Sequence, residues 1–146
     1  MMKARRHAKS AVEVDDSDYQ ALAEFRFALR GFFAFSEAAA RAAGLTPQQH
    51  QALLAIRGYP ARDRVTVSEL AEHLMIRHHS AVELIDRLSR AGLIVRATDP
   101  ADRRRVHIAL TAKAQRKLRG LAAAHLEELR RLGSALPGLL ERLGMT

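Results

Sequence analysis

The 146-residue chain contains no cysteine. That absence excludes disulfides, thiolate metal sites, thiol nucleophiles and any sensor that works by cysteine oxidation. It also suits a reducing compartment. No apolar run approaches the length of a membrane span, and the opening residues MMKARRHAKS lack the apolar centre of a signal peptide. A cytoplasmic protein with no membrane partner is therefore expected. The sequence holds no Gly-rich phosphate loop and no convincing nucleophile–base arrangement, so no enzyme activity, catalytic residue or cofactor is expected. Internal repeats and low-complexity linkers are missing too, and the length fits one domain spanning 1–146.

What the chain has is positive charge, placed unevenly. The formal net charge is +8, and hydrophobic residues make up 48% of the chain and charged residues 27%, as in a globular protein. Residues 57–119 carry 14 Lys/Arg against 7 Asp/Glu, whereas the two flanks together carry 10 against 9. The middle of the chain thus creates a local basic field suited to a polyanion such as nucleic acid. A solvated arginine-rich surface is the plainer reading of charge alone.

Helix signals divide the chain. Residues 1–14 read as a flexible basic tail. A long helix follows, capped by Ser17 or Asp15, with Gln20 completing a capping box from Ser17, and stopped at Gly44. Leu22, Phe25, Leu29, Phe32, Phe33 and Ser36 fall at helical spacing along it, and all five phenylalanines lie between residues 25 and 35. That apolar load exceeds what a surface helix needs and suits burial against a second subunit. Thr46, Pro47 and Gln49 start the next helix, which Gly58 and Pro60 end. After a polar ARDR loop and a short extended VTV comes a helix opened by a Thr66–Glu69 capping box, with Leu70, Ala71 and Leu74 inward. A tight connection at Met75–Arg77 leads to another, with Ala81, Leu84, Ile85 and Leu88 inward and Gly92 at its end. The opposite face is polar, carrying His79, Glu83, Asp86 and Arg90. Two helices so closely joined fit a helix-turn-helix. A hairpin is expected next, with strands near 93–98 and 105–110. Thr111 caps a long helix whose apolar side is Leu118, Leu121, His125, Leu129 and Leu132, and Pro137 begins a last short helix with Leu139, Leu140 and Leu143.

The hairpin tip, DPADRRR at 99–105, is dense in charge. Alone, it reads as a solvated turn. Directly after a helix-turn-helix it reads as a wing. A helix fits the major groove, with its N-terminal residues near base edges, while basic groups hold phosphates. An arginine-tipped hairpin can reach a narrow minor groove. The expected fold is mainly α with a small β-hairpin (α+β), a winged helix-turn-helix at 46–110 flanked by helices from 15–45 and 111–146.

Over about residues 18–146 the sequence resembles the MarR-type transcriptional regulators, most specifically in LAEHL and VELIDRLSRAGLIVRATDPADRRRVHIALT. The resemblance implies a sequence-specific DNA-binding regulator. It implies a homodimer whose flanking helices interlock, on a pseudo-palindromic operator. It also implies repression relieved by a small, often aromatic or phenolic, effector. Carried over by position, Arg77, His78, His79, Ser80, Glu83 and Arg87 lie near the major groove. Arg104 enters the minor groove with Asp102 orienting its guanidinium, and Arg103 and Arg105 hold phosphates or flank the groove. Two departures stand out. Arg77 and His78 occupy positions where the family usually has Ser and Pro, which puts a poor capper at the expected N-cap. Ser80 with Glu83 offers an alternative capping box three residues later. The family's Gly after LT is Ala114. The double-stranded DNA and effector partners belong to this resemblance, and the effector-binding residues are left open. A helical protein-interaction module on the same fold is the alternative.

No metal is expected. The adjacent His78 and His79 do not converge on one ion. His50, His107 and His125 are scattered in sequence, and His50 and His125 read as partly buried histidines near the helical interface, with a ligand-pocket role second.

Overall fold

In order along the chain come α1 (Asp16–Ala42), α2 (Pro47–Arg57), β1 (Arg64–Val65), α3 (Val67–Leu74), α4 (His78–Arg90), β2 (Ile94–Thr98), β3 (Val106–Leu110), α5 (Ala112–Leu132) and α6 (Leu136–Arg142). The computed structural model describes residues 13–60, 64–133, 136–142 and 144–145. Most of the expected 1–14 tail, part of the ARDR loop and Leu143 lie outside them.

Side-chain caps set the helix starts. Thr46 Oγ1 accepts from Gln49 N–H at 3.1 Å and Gln49 Oε1 accepts from Thr46 N–H at 3.0 Å. Thr66 and Glu69 form the same reciprocal pair at the start of α3. At α1 the box is different from the one the spacing favoured. Asp15 is the N-cap and pairs with Asp18, while the Ser17 hydroxyl donates to Asp15. An ionised carboxylate is the stronger acceptor for first-turn N–H groups, and two acidic residues there also complement the helix dipole.

Four helices end in one hydrogen-bond pattern. Leu45 N–H reaches Ala40 O, Ile76 N–H reaches Ala71 O, Leu93 N–H reaches Leu88 O and Met145 N–H reaches Leu140 O, each at 2.9–3.0 Å. The residue before each of these is left-handed: Gly44 at φ 77°, Met75 at φ 53°, Gly92 at φ 69° and Gly144 at φ 65°. The connection between α3 and α4 thus rests on a methionine where the other three ends use glycine.

The helix-turn-helix and the sheet share one core. Leu70 of α3 and Leu84, Ile85 and Leu88 of α4 are buried together with Leu53 and Ile56 of α2, Ile108 of β3 and Leu118 of α5. The inward stripe expected for α4 is buried in full. The sheet has three strands in the order β1-β3-β2, all antiparallel, with Val65 opposite Ile108 and Ile94 opposite Leu110. The hairpin is therefore widened by the short VTV piece, which covers the free edge of β3. The fold is mainly α with this small sheet.

Helix α1 departs from a core helix. Only Ala21 and Ala40 are fully buried on it. Leu22 is 51% exposed and Phe33 55%, and Leu126 and Leu129 of α5 are exposed as well. Within one chain, then, much of the phenylalanine stripe has no apolar cover.

Candidate nucleic-acid interface

The start of α4 is bare. Arg77 is its N-cap residue but makes no side-chain cap bond, and the alternative start through Ser80 and Glu83 is not taken. The first-turn N–H groups therefore lack a side-chain acceptor at the positive end of the helix dipole. Arg77, His78, His79, Glu83 and Arg87 are exposed there, and Ser80 is half-buried. They sit on the side of α4 away from Leu84, Ile85 and Leu88.

The wing is held by its own acidic residues. Asp99 N–H donates to Arg105 O at 2.9 Å and Arg105 N–H to Asp102 O at 3.0 Å. Asp102 Oδ1 accepts the main-chain N–H of Arg104 at 3.0 Å. The bond from Asp102 to Arg104 thus goes to the backbone rather than the guanidinium, and it shapes the turn. Asp99 Oδ1 accepts Ala101 N–H at 2.9 Å, and its other oxygen meets His107 Nε2 at 3.1 Å. These bonds, led by the Ala101 N–H, hold the Asp99 carboxyl below the usual carboxylate range. Arg103, Arg104 and Arg105 are all exposed on this turn.

The helix start and the wing converge. An open groove of about 590 Å³ is walled by Thr66 to Glu69 at the start of α3, His78 at the start of α4, and Arg104, Arg105 and Val106 of the wing. An ion pair between Asp86 of α4 and Arg96 of β2, 2.5 Å apart, braces the helix against the wing's stem. Nothing in the sequence pointed to this pair, because its two members lie on elements whose packing angle is set only in three dimensions. Thr66 and Ser68 were likewise legible only as a cap and its neighbour.

Two further features lie away from this face. Phe25, Leu29 and Phe32 of α1, Leu129 and Leu132 of α5, and Leu139 of α6 line an apolar cavity of about 290 Å³. Nearby, His50 of α2 and His125 of α5 bring their rings to 4.8 Å. Because a carbonyl only accepts, His125 Nδ1–H donates to Leu121 O at 2.6 Å, which leaves Nε2 to accept the Ser36 hydroxyl at 2.8 Å. Phe32 and Phe35 meet the His125 ring edge-on. His50 is buried with Nδ1 unpartnered, and burial first, His125 second, push its pKa below the ordinary histidine value. Among the described residues no three His, Asp or Glu side chains converge as a metal set, and no helix is long and apolar enough to cross a membrane.

A sequence profile of the MarR family matches residues 43–105, which span α2 to the wing tip. Over those residues the chain matches the MarR family. Several solved MarR-type structures are similar over most of its length. AbsC of Streptomyces coelicolor, a MarR family transcriptional regulator, is 23% identical, with 93% of this chain and all of that one covered and a TM-score of 0.67. The transcriptional regulator PA4135 is 27% identical over 86% of this chain and 92% of its own, with a TM-score of 0.65. A Staphylococcus aureus MepR variant, solved bound to an oligodeoxyribonucleotide, is 23% identical over 84% of each chain, with a TM-score of 0.64. Comparison with curated protein sequences found no match. The profile covers the groove between the helix start and the wing except Val106, and leaves α1 and α5 to the structural likeness.

Proposed function

We propose that this chain is a sequence-specific, DNA-binding transcriptional regulator that works as a homodimeric repressor. The observation that carries the reading is the single groove shared by His78 at the bare start of α4 and Arg104 and Arg105 on the wing. Helix α4 is the recognition helix, presenting Arg77, His78, His79, Ser80, Glu83 and Arg87 to the major groove. Arg104 enters the adjacent minor groove, and Arg103 and Arg105 hold phosphates. The lobe is 46–110, and 15–45 with 111–146 form the dimerisation region. Exposed Leu22, Phe33, Leu126 and Leu129 on α1 and α5 support that assignment, since contiguous exposed apolar side chains favour an interface. In the dimer two recognition helices meet successive major grooves roughly 34 Å apart. The apolar cavity of about 290 Å³ supports a small aromatic effector that releases the DNA.

The test is a fluorescence-anisotropy titration of duplex DNA from the intergenic region upstream of its own coding sequence, repeated over a range of salt. Sequence-dependent binding that weakens steeply with salt is expected. Arg104→Ala should weaken the specific complex by about 1–3 kcal/mol. Binding insensitive to sequence and salt would sink the reading in favour of a protein-interaction module.

A further inference from the structure

His107 is the one buried polar side chain of the wing. It lies on β3, opposite Ala97, and is only 7% exposed. It is buried on the opposite face of the strand from Ile108 and Leu110, which are also buried. A histidine there carries a cost, since Nδ1 is buried without a partner. The other nitrogen meets the Asp99 carboxylate at 3.1 Å. An ionised carboxylate only accepts, so Nε2 carries the hydrogen and donates it. Asp99 is itself the junction of the tip. Its Oδ1 holds Ala101 N–H, and its main-chain N–H holds Arg105 O, which closes the turn carrying Arg103, Arg104 and Arg105.

We propose that His107 is a positioning residue for the wing, fixing the Asp99 carboxylate from beneath and thereby setting where Arg104 and Arg105 stand. This rests on the DNA-binding reading above, and it names how the protein readies the wing before DNA arrives. Three exposed arginines repel one another, and a hairpin tip without a brace would sample many conformations. Each would have to be lost on binding, so a prefixed tip raises affinity without adding a contact.

The test uses the full chain and the same intergenic duplex. His107→Leu removes the donor and keeps a buried apolar side chain. His107→Gln puts an amide N–H at similar reach. His107→Leu is expected to weaken specific binding about 5- to 10-fold, the upper part of the range for one ordinary hydrogen bond. His107→Gln is expected to stay within about twofold of wild type, since the bond is kept. In an Arg104→Ala background the His107→Leu loss should be smaller than in wild type, because Arg104 is one of the two side chains the brace positions. Hydrogen exchange of the Ala101 and Arg105 amides reads the brace without DNA, and His107→Leu should speed it. Unchanged exchange, additive losses in the double variant, or no rescue by His107→Gln would each overturn the proposal. If Arg104→Ala alone binds as tightly as wild type, the wing's part in DNA binding fails instead, whatever the exchange shows.

Discussion

Thr111 is the joint between α4 and the long helix α5 behind it, and replacing it by valine tests that joint. Its hydroxyl does two things. Oγ1 accepts the N–H of Ala114 at 3.2 Å, capping α5, and it donates to Gly92 O at 2.8 Å, beyond the end of α4. Valine has the same shape and can do neither. Loss of the cap costs about 1 kcal/mol, and the inter-helix bond adds up to about 1 kcal/mol, the net worth of an ordinary hydrogen bond, as the carbonyl of the exposed Gly92 loses its side-chain donor. The sum is up to about 2 kcal/mol, or roughly 6–8 °C in Tm for a chain of this size. Thr46→Val is the control. Thr46 Oγ1 makes only the cap bond to Gln49 N–H, so about 1 kcal/mol is expected there. Urea unfolding of the two variants, with Thr111→Ser as the conservative partner, measures the difference directly. Equal losses for Thr111→Val and Thr46→Val would show that the bond to Gly92 contributes nothing.

Other expectations follow from single features. Met75→Gly should stabilise the protein by about 0.5–1 kcal/mol, because glycine removes the left-handed penalty at φ 53° while the 94% exposed methionine has little packing to lose; a lower urea midpoint would contradict this. Stability should fall as pH drops below 6.5, since unfolding lets His50 take up a proton that burial and His125 resist in the fold; the unfolded state then binds more protons, and the loss has a ceiling of about 1.4 kcal/mol per pH unit. His50→Leu should flatten that part of the profile, and an unchanged slope would assign it elsewhere. Leu129→Asp should shift the protein toward monomer in analytical ultracentrifugation and weaken DNA binding with it, as Leu129 is exposed beside the apolar face of α1.

Local chemistry was legible in the sequence, and distant pairing was not. Thr46, Thr66 and Thr111 mark three helix starts because a hydroxyl three residues ahead of an N–H is a local geometry. Gly44 and Gly92 mark two ends for the same reason, whereas Met75 hides a third, since methionine carries no signal of a left-handed backbone. Spacing identifies the buried face of α4. It does not say which apolar face of α1 a single chain covers, because an interface and a core use the same residue types. Pairs joined across the fold had no local signal. His50 and His125 are 75 positions apart, Arg96 and Asp86 sit on different elements, and the third strand pairs with β3 through only two residues. Asp99 and His107 lie within one hairpin, but their bond depends on the register Thr98–Val106, which one residue of slip would reverse.

Helix α5 gives this fold a mechanical logic that no single contact reveals. At its start, Thr111 and Lys113 donate to Gly92 O and Ala91 O, the carbonyls just past the end of α4. One turn on, Lys117 Nζ donates to Ala43 O at the end of α1. Further along, His125 meets Ser36 of α1 and packs at a tilt against His50 of α2. Beyond that, Leu129 and Leu132 line the apolar cavity. Lys113 and Leu129 are about 24 Å apart along the helix axis at 1.5 Å per residue. A helix is stiff over that length, so an occupant that displaces α5 at Leu129 moves the whole rod unless its other tethers give. Those tethers are the bonds to carbonyls at the ends of α1 and α4 together with Ala114, Leu118 and Leu121 buried in the shared core. A displacement of the rod would bear on the end of α4 through both, and the start of α4, at the other end of that 13-residue helix, is where His78 shares its groove with the wing.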